Sequence, residues 1–294
     1  MLELPDKPRP VGLIAGWGRT PFLVAEGIRQ SGRPVIIAAL RGHASPRLKD
    51  QADAFSWVGL TRMGSWISMF HKHQVSEAIM IGAVKKRDMY ARWRYLRFLP
   101  DLRTFLLYFL KARKDKRDNA MLLAAADELR SEGIELVSCV KYSEQHLATE
   151  GLMNSVTPPN SVYSDVDFGW RIARASADLD IGQSIAVKEC DIIAVEAMEG
   201  TDAMIRRAGR VCRNGGWTMV KVARPKQDMR FDVPTVGPST LRNLKDAKCL
   251  CLVLEAGRTF IVDKPATLAL ADKLGIAVIG KTPAAQPAAT EPQV

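Results

Sequence analysis

The feature that most constrains this chain is a succession of short apolar runs, each closed by glycine or charged residues and separated from the next by a longer segment. Residues 11–15 read VGLIA, 34–40 read PVIIAAL and 77–84 read EAIMIGAV. Runs this short and this uniformly apolar suit strands buried on both faces, as in a parallel sheet wrapped by helices. Helices are expected at 20–30 and 117–133, the second closed by Gly133, with a further strand at 134–140. The alternation makes the first half an α/β unit over 1–155. The stretch 152–162, with Thr157-Pro158-Pro159-Asn160, breaks periodicity and sets the expected boundary. Beyond it a helix is expected at 165–185, strands at 191–197, 217–223, 249–255 and 276–280, and helices at 202–213, 239–246 and 264–274. These make a second α/β domain over 160–281, and the Ala-, Pro- and Thr-rich 282–294 is expected to be disordered.

In such folds ligands gather where strand ends run into loops. The first run ends in Gly16-Trp17-Gly18-Arg19-Thr20-Pro21. Thr20 is a good N-cap and Pro21 suits the first helical position, so strand, glycine turn and helix start would offer backbone N–H groups to an anion. A tight turn with no ligand fits the same residues. The first domain therefore reads as Rossmann-like and nucleotide-binding. An NAD enzyme would carry a third glycine in this loop and an acidic residue after the second strand, but Pro21 and Arg41 stand there. NAD is disfavoured, and an NADP-linked oxidoreductase stays as an alternative. After the third run come Lys85, Lys86 and Arg87, which suit phosphate, a ribose or a solvated loop. His71 and His73 precede that run without an acidic neighbour and read as surface or packing residues.

Two later runs end in denser polar clusters. Glu196, Glu199, Gly200, Thr201 and Asp202 follow the first, and residues 224–240 follow the second. Within the latter, Asp228, Arg230 and Asp232 alternate with Met229, Phe231 and Val233, so in an extended chain the three charges share one face. Thr201 or Asp202 also suits a helix cap, which is the plainer reading of that cluster. Lys221 lies inside an apolar run, where an unpaired ammonium is costly, and is expected to face a carboxylate or a phosphate.

The segments EAMEGTD (196–202) and KVARPKQDMRFDVPTVGPST (221–240) resemble the UDP-2,3-diacylglucosamine pyrophosphatase family of lipid A biosynthesis, the branch without a metallophosphatase fold. The resemblance continues through LDIGQSIAVKE (179–189), GLIAGWG (12–18) and the ending EAGRTFIVDKPATLALADKLGIAVIG (255–280). Similar sequences carry a third small residue and an acidic-leucine pair in the first loop, where this chain has Trp17, Arg19 and Thr20. The resemblance implies that water cleaves the pyrophosphate of UDP-2,3-diacylglucosamine to a lipid monosaccharide 1-phosphate and UMP, with Mg2+ required. With phosphate donors in the first domain's glycine loop and carboxylates beside apolar residues in the second, the scissile pyrophosphate is expected in a cleft between the domains, near Pro158-Pro159. Asp228, Arg230 and Asp232 are the expected catalytic residues, with Asp228 and Glu196 the expected metal ligands. In a straight segment Asp228 and Asp232 stand about 13 Å apart, so either the chain bends near Pro234 or Asp232 pairs with Arg230 instead. Substrate contacts are expected from Gly16, Trp17, Gly18, Arg19, Thr20, Lys85, Glu199, Gly200, Thr201, Lys221 and Lys226. Met198, Met204, Met219, Met229 and Phe231 are candidates for acyl-chain contact or plain core.

The net charge of +10 is concentrated. Residues 85–117 hold twelve basic residues against three acidic ones, among aromatic residues at helical spacing, which favours a polyanionic partner. An anionic membrane surface is the expected one, with core packing under a charged outer face fitting the same residues and a homodimer left open; a non-enzymatic nucleic-acid binder is the second alternative, and no nucleic acid is expected for the hydrolase. No apolar run reaches the roughly 18 residues of a membrane span, and the N-terminus lacks a secretory core. The expected location is cytoplasmic, peripheral at the inner membrane. Five scattered cysteines read as reduced core residues rather than zinc ligands.

Overall fold

The computed structural model describes residues 8–84, 101–107, 118–224, 228–231 and 233–283, with backbone alone at 102, 106, 107 and 118–121. Lys85, Lys226, Asp232 and most of the basic segment 85–117 lie outside the described residues. The chain divides into two units, Met1–Ser143 with Met229–Phe231, and Glu144–Asp228 with Asp232–Val294. The proline-rich break at 152–162 falls inside the second unit, where Pro159 precedes a helix.

The first unit carries β1 (Val11–Ala15), α1 (Thr20–Gln30), β2 (Val35–Leu40), β3 (Ala54–Val58), α2 (Met63–Lys72), β4 (Glu77–Ile81), α3 (Leu102–Leu107), α4 (Asp118–Ser131) and β5 (Glu135–Leu136). Its strands form one parallel sheet in the order β3-β2-β1-β4-β5. β1 and β2 are buried at every position, which is why their sequences show no alternation. β3 escapes sequence reading because it is an edge strand with Ser56 and Trp57 exposed. The strand expected at 134–140 shortens to two residues, since Ser138 accepts a hydrogen bond from the Val140 amide and the chain turns into a 3-10 helix at Cys139–Tyr142. One face of the sheet is closed by Trp66, Ile67 and Phe70 of α2 and Leu129 of α4, packed with Ile14, Ile36 and Ala78.

Two polar details differ from expectation. His71 Nε2 lies 2.9 Å from the Glu132 carbonyl and 3.9 Å from its carboxylate, so a carboxylate partner exists sixty-one residues away in sequence. Arg103 pairs with Glu128 at 2.8 Å and with Glu132, so this member of the basic segment already has partners within its own unit.

At the start of β4, Glu77 is bonded by Lys141 (2.8 Å), Tyr142 (2.6 Å) and Arg33 (3.2 Å). Burial pushes its carboxyl up, but the bonds from Lys141, Tyr142 and Arg33 outweigh it and hold the group below the ordinary 4.5. The Tyr142 hydroxyl is pushed up to about 12, by burial and then by Glu77. A depressed carboxyl contributes stability above its unfolded pKa and loses it as pH falls through the folded value. Glu77→Gln is therefore expected to destabilise at pH 7 and to approach wild type as the pH drops below 4.5. Denaturant melts at both pH values check this, and an equal deficit at both would exclude it.

The second unit carries β6 (Gly151–Leu152), α5 (Asn160–Asp178), β7 (Ser184–Lys188), β8 (Asp191–Val195), α6 (Thr201–Val211), β9 (Trp217–Lys221), β10 (Thr235–Val236), α7 (Pro238–Asp246), β11 (Cys249–Glu255), β12 (Phe260–Ile261), α8 (Lys264–Leu274) and β13 (Ala277–Lys281). Six strands form a mixed sheet, β6-β13-β11-β9-β7-β8. β9, β11 and β13 run parallel, whereas β7 is antiparallel to both β8 and β9. The helix expected at 165–185 is two elements. Its apolar stripe ends at Ala177, and SIAVK forms β7. α5 covers one face, with Val166, Trp170 and Ala173 against Ile185, Val220 and Val253. α6, α7 and α8 cover the other, with Met204, Ile205, Leu241, Leu244 and Ala271 against Ala186, Met219 and Leu252. Met204 and Met219 are wholly buried in that core, so they are packing residues and not part of an acyl surface.

Candidate active site

In the first unit, the loop after β1 is tied to the loop after β4. Gly16 N donates to Ile81 O at 2.8 Å, and Trp17 and Ala83 exchange two backbone hydrogen bonds, both 2.8 Å. A Cβ on Gly16 would stand 2.8 Å from the Gly82 carbonyl, and one on Gly82 would stand 2.8 Å from the Gly16 backbone. Two glycines are required because the loops touch backbone to backbone. β1 and β4 are neighbours where the strand order reverses, the position at which open α/β sheets take ligands. Trp17 is 54% exposed. Thr20 does not cap α1: it is the first helical residue, Arg19 precedes it in helical conformation, and no side chain caps the helix. Arg19 instead lies 5.7 Å from the Phe22 ring centroid.

The second unit places three predicted residues, and one that was not predicted, in a single constellation. Ser184 pairs with Lys221 across β7 and β9, and Glu196, just past β8, donates its backbone N–H to Ser184 O at 2.8 Å. Directly opposed residues share a sheet face at about 5 Å between Cβ atoms. Two residues further into each strand lie Ala194, Ala186 and Met219, all in the core beneath α6. Glu196, Ser184 and Lys221 thus form a row of carboxylate, hydroxyl and ammonium on the α6 side of the sheet. Thr201, the first residue of α6, bridges its two ends: its hydroxyl donates to Glu196 Oε1 at 2.7 Å and accepts from Lys221 Nζ at 3.0 Å. The capping reading of Thr201 is overturned, since Gly200 is the N-cap, with φ 81°, and no side chain caps the helix.

All members of the row are buried, with Glu196 7%, Lys221 4% and Ser184 0% exposed. Glu196 Oε2 and Ser184 Oγ have no hydrogen-bond partner among the described residues. Each such atom costs about 1–3 kcal/mol when left unpaired, which points to a ligand that completes it. Glu199 stands outside this row. Its own backbone N–H and then Arg207 hold its carboxyl below the ordinary value, and Arg207 also donates to Val195 O.

The charged segment does not keep the extended form expected of it. Met229, Arg230 and Phe231 make a turn. The Met229 carbonyl accepts from Ser138 Oγ at 2.8 Å, Phe231 packs on the first unit's core, and Arg230 lies 5.2 Å over the Phe231 ring. The packing of the half-buried Phe231 overrides the alternation that would have put Asp228 and Arg230 on one straight face. Met229 and Phe231 therefore group with the first unit, and in the second Met198 is fully exposed whereas Met204 and Met219 are core.

Sequence reasoning missed the support of this segment. Glu255, at the end of β11, is 0% exposed and meets Arg174 at 3.1 and 3.2 Å and Arg258 at 3.4 Å. It accepts from Ala223 N at 2.7 Å, and Arg258 also reaches Arg224 O at 3.4 Å. Arg224 in turn pairs with Asp180 at 3.2 Å. The chain that leads to Asp228 is thus pinned at two successive residues. A carboxylate ending the apolar run CLCLVLE was the available signal, but Arg174 lies eighty-one residues away.

Among the described residues no three His, Cys, Asp or Glu side chains gather as a ready-made metal cage. One carboxylate oxygen left open in the row still suits magnesium, which takes few protein ligands and completes its shell with phosphate and water.

Comparison with known proteins identifies the lineage. Residues 10–146 match the LpxI N-terminal domain and residues 149–279 the LpxI C-terminal domain. The chain is 33% identical over 290 residues to the UDP-2,3-diacylglucosamine pyrophosphatase LpxI of Caulobacter vibrioides, covering 95% of this chain and 100% of that protein. With both domain models matched in order and a relative aligned along its full length, the chain belongs to the LpxI family.

Proposed function

We propose that this protein hydrolyses the pyrophosphate bond of UDP-2,3-diacylglucosamine, giving 2,3-diacylglucosamine 1-phosphate and UMP in lipid A biosynthesis. The observation that carries the reading is the full-length relationship to a pyrophosphatase of that substrate. The chemistry of the second unit agrees with it. Pyrophosphate cleavage needs positive charge on the phosphates and a group that orients water. Lys221 supplies buried positive charge, and Asp228 is assigned to orienting water; Arg230, which groups with the first unit, is assigned to balancing charge as the bond breaks. Asp228 and Glu196 are the residues that would hold magnesium, which when bound neutralises phosphate charge. The glycine loop at 16–20, with Lys85, is assigned the uridine nucleotide; the residues around Glu196, Glu199 and Thr201, with Lys226, are assigned the phosphosugar lipid. Asp232 is kept as an accessory acid of the same segment.

Purified protein incubated with the diacylated substrate is expected to release UMP, to stop in excess chelator and to resume on adding magnesium. Full turnover in chelator would remove the metal from the account, and no release under any condition would remove the function. No helix among the described residues is long and apolar enough to cross a membrane. The basic segment 85–117 is assigned to docking on an anionic bilayer, in a cytoplasmic enzyme acting at the inner membrane. Co-sedimentation with anionic vesicles should weaken with salt, and equal binding to neutral vesicles would refute the assignment.

A further inference from the structure

We infer that Ser184 donates its hydroxyl to a phosphate oxygen of the sugar-phosphate end of the ligand, and that Ser184 and Lys221 together form a phosphate subsite. This rests on the hydrolase reading for the identity of the phosphate and adds a residue that reading did not contain. The first ground is the hydroxyl itself. Ser184 is 0% exposed and its Oγ has no partner among the described residues. Other buried serines of this chain show what a structural serine does: Ser143 Oγ donates to Cys139 O at 2.6 Å and Ser176 Oγ to Gly182 O at 3.0 Å. Ser184 has no such bond; the wholly buried Thr218 and Thr259 hydroxyls have none either, and Ser184 differs from them in standing opposite an ammonium.

The second ground is what surrounds it. Ser184 stands directly across from Lys221 on one sheet face, beside the row's only positive charge among Glu196, Ser184 and Lys221. The neighbouring Thr201 hydroxyl already gives its proton to Glu196 Oε1 and can only accept from Lys221. Ser184 is thus the hydroxyl of this constellation still able to donate. A donor beside an ammonium fits an anionic oxygen, and a phosphate takes charge from one and a directed hydrogen bond from the other. The adjoining 197–200 turn is open, with Met198 fully exposed and no atom within 4 Å of the position a Gly200 side chain would take.

Ser184→Ala separates a ligand-binding role from a structural one, because deleting an unpaired buried hydroxyl should leave Tm unchanged or raise it. We expect that outcome together with a loss of about tenfold or more in kcat/KM, and a similar loss of affinity for glucosamine 1-phosphate, used as a soluble probe in calorimetry. UMP affinity should stay at the wild-type level, and Ser184→Thr, which keeps the hydroxyl, should restore part of the loss. Wild-type turnover and probe affinity in Ser184→Ala would overturn the subsite, as would a fall in Tm large enough to account for the lost activity. Failure of the wild-type protein to hydrolyse the nucleotide lipid would sink the functional reading instead, and the probe titration would still decide the subsite.

Discussion

Asp228→Asn is expected to lower kcat by about 10²- to 10⁴-fold, the range for a group that positions or deprotonates the attacking water, while KM changes by less than about threefold. Asparagine keeps the shape of the side chain and removes its charge, so a loss as large as that of Asp228→Ala would assign the effect to the carboxylate. The split between kcat and KM follows from the role. Orientation of water is used in the transition state far more than in substrate binding. The structure supports separating this effect from folding, since Asp228 begins a half-buried turn rather than sitting in either unit's core. Thermal melts of both variants should match wild type, and a variant that turned over normally would exclude the catalytic assignment.

Arg174→Met should cost about 3–5 kcal/mol of stability, the largest effect expected outside the reacting groups. Glu255 is wholly buried, and Arg174 supplies two of its contacts, at 3.1 and 3.2 Å. Removing the guanidinium leaves a carboxylate in a dry interior with Ala223 N and the longer Arg258 contact. The penalty arises from the stranded charge and not from lost packing, because methionine replaces much of the arginine stem. The double variant Arg174→Met, Glu255→Gln should therefore recover part of the loss. Urea unfolding with an unchanged slope checks this. A double variant no more stable than Arg174→Met alone would show that packing, not charge, dominates.

The strands of the sheet centres were legible because burial on both faces writes a continuous apolar run; β11 is found at the bounds expected for it. β3 was illegible because its edge position leaves Ser56 and Trp57 in solvent, and β7 because its apolar residues follow α5 closely enough to read as more helix. Candidate residues stood out where an odd side chain lay in an apolar context. Lys221 inside a strand and Glu196 at a strand end are examples, and the structure brings both to Thr201. Ser184 gave no such signal, since a serine at a strand start is ordinary. Its role depends on registers with β8 and β9 that only the fold sets. The regular spacing of Asp228 and Arg230 misled for the same reason, because a local pattern yields to the packing of Phe231.

Hydrolysis itself is tested most directly by running the reaction in water labelled with heavy oxygen and weighing both products. The account predicts one solvent oxygen per substrate consumed, carried on the phosphate of either UMP or 2,3-diacylglucosamine 1-phosphate and absent from the other. Substrate that stays intact with magnesium present, or products that form without solvent oxygen, would contradict it.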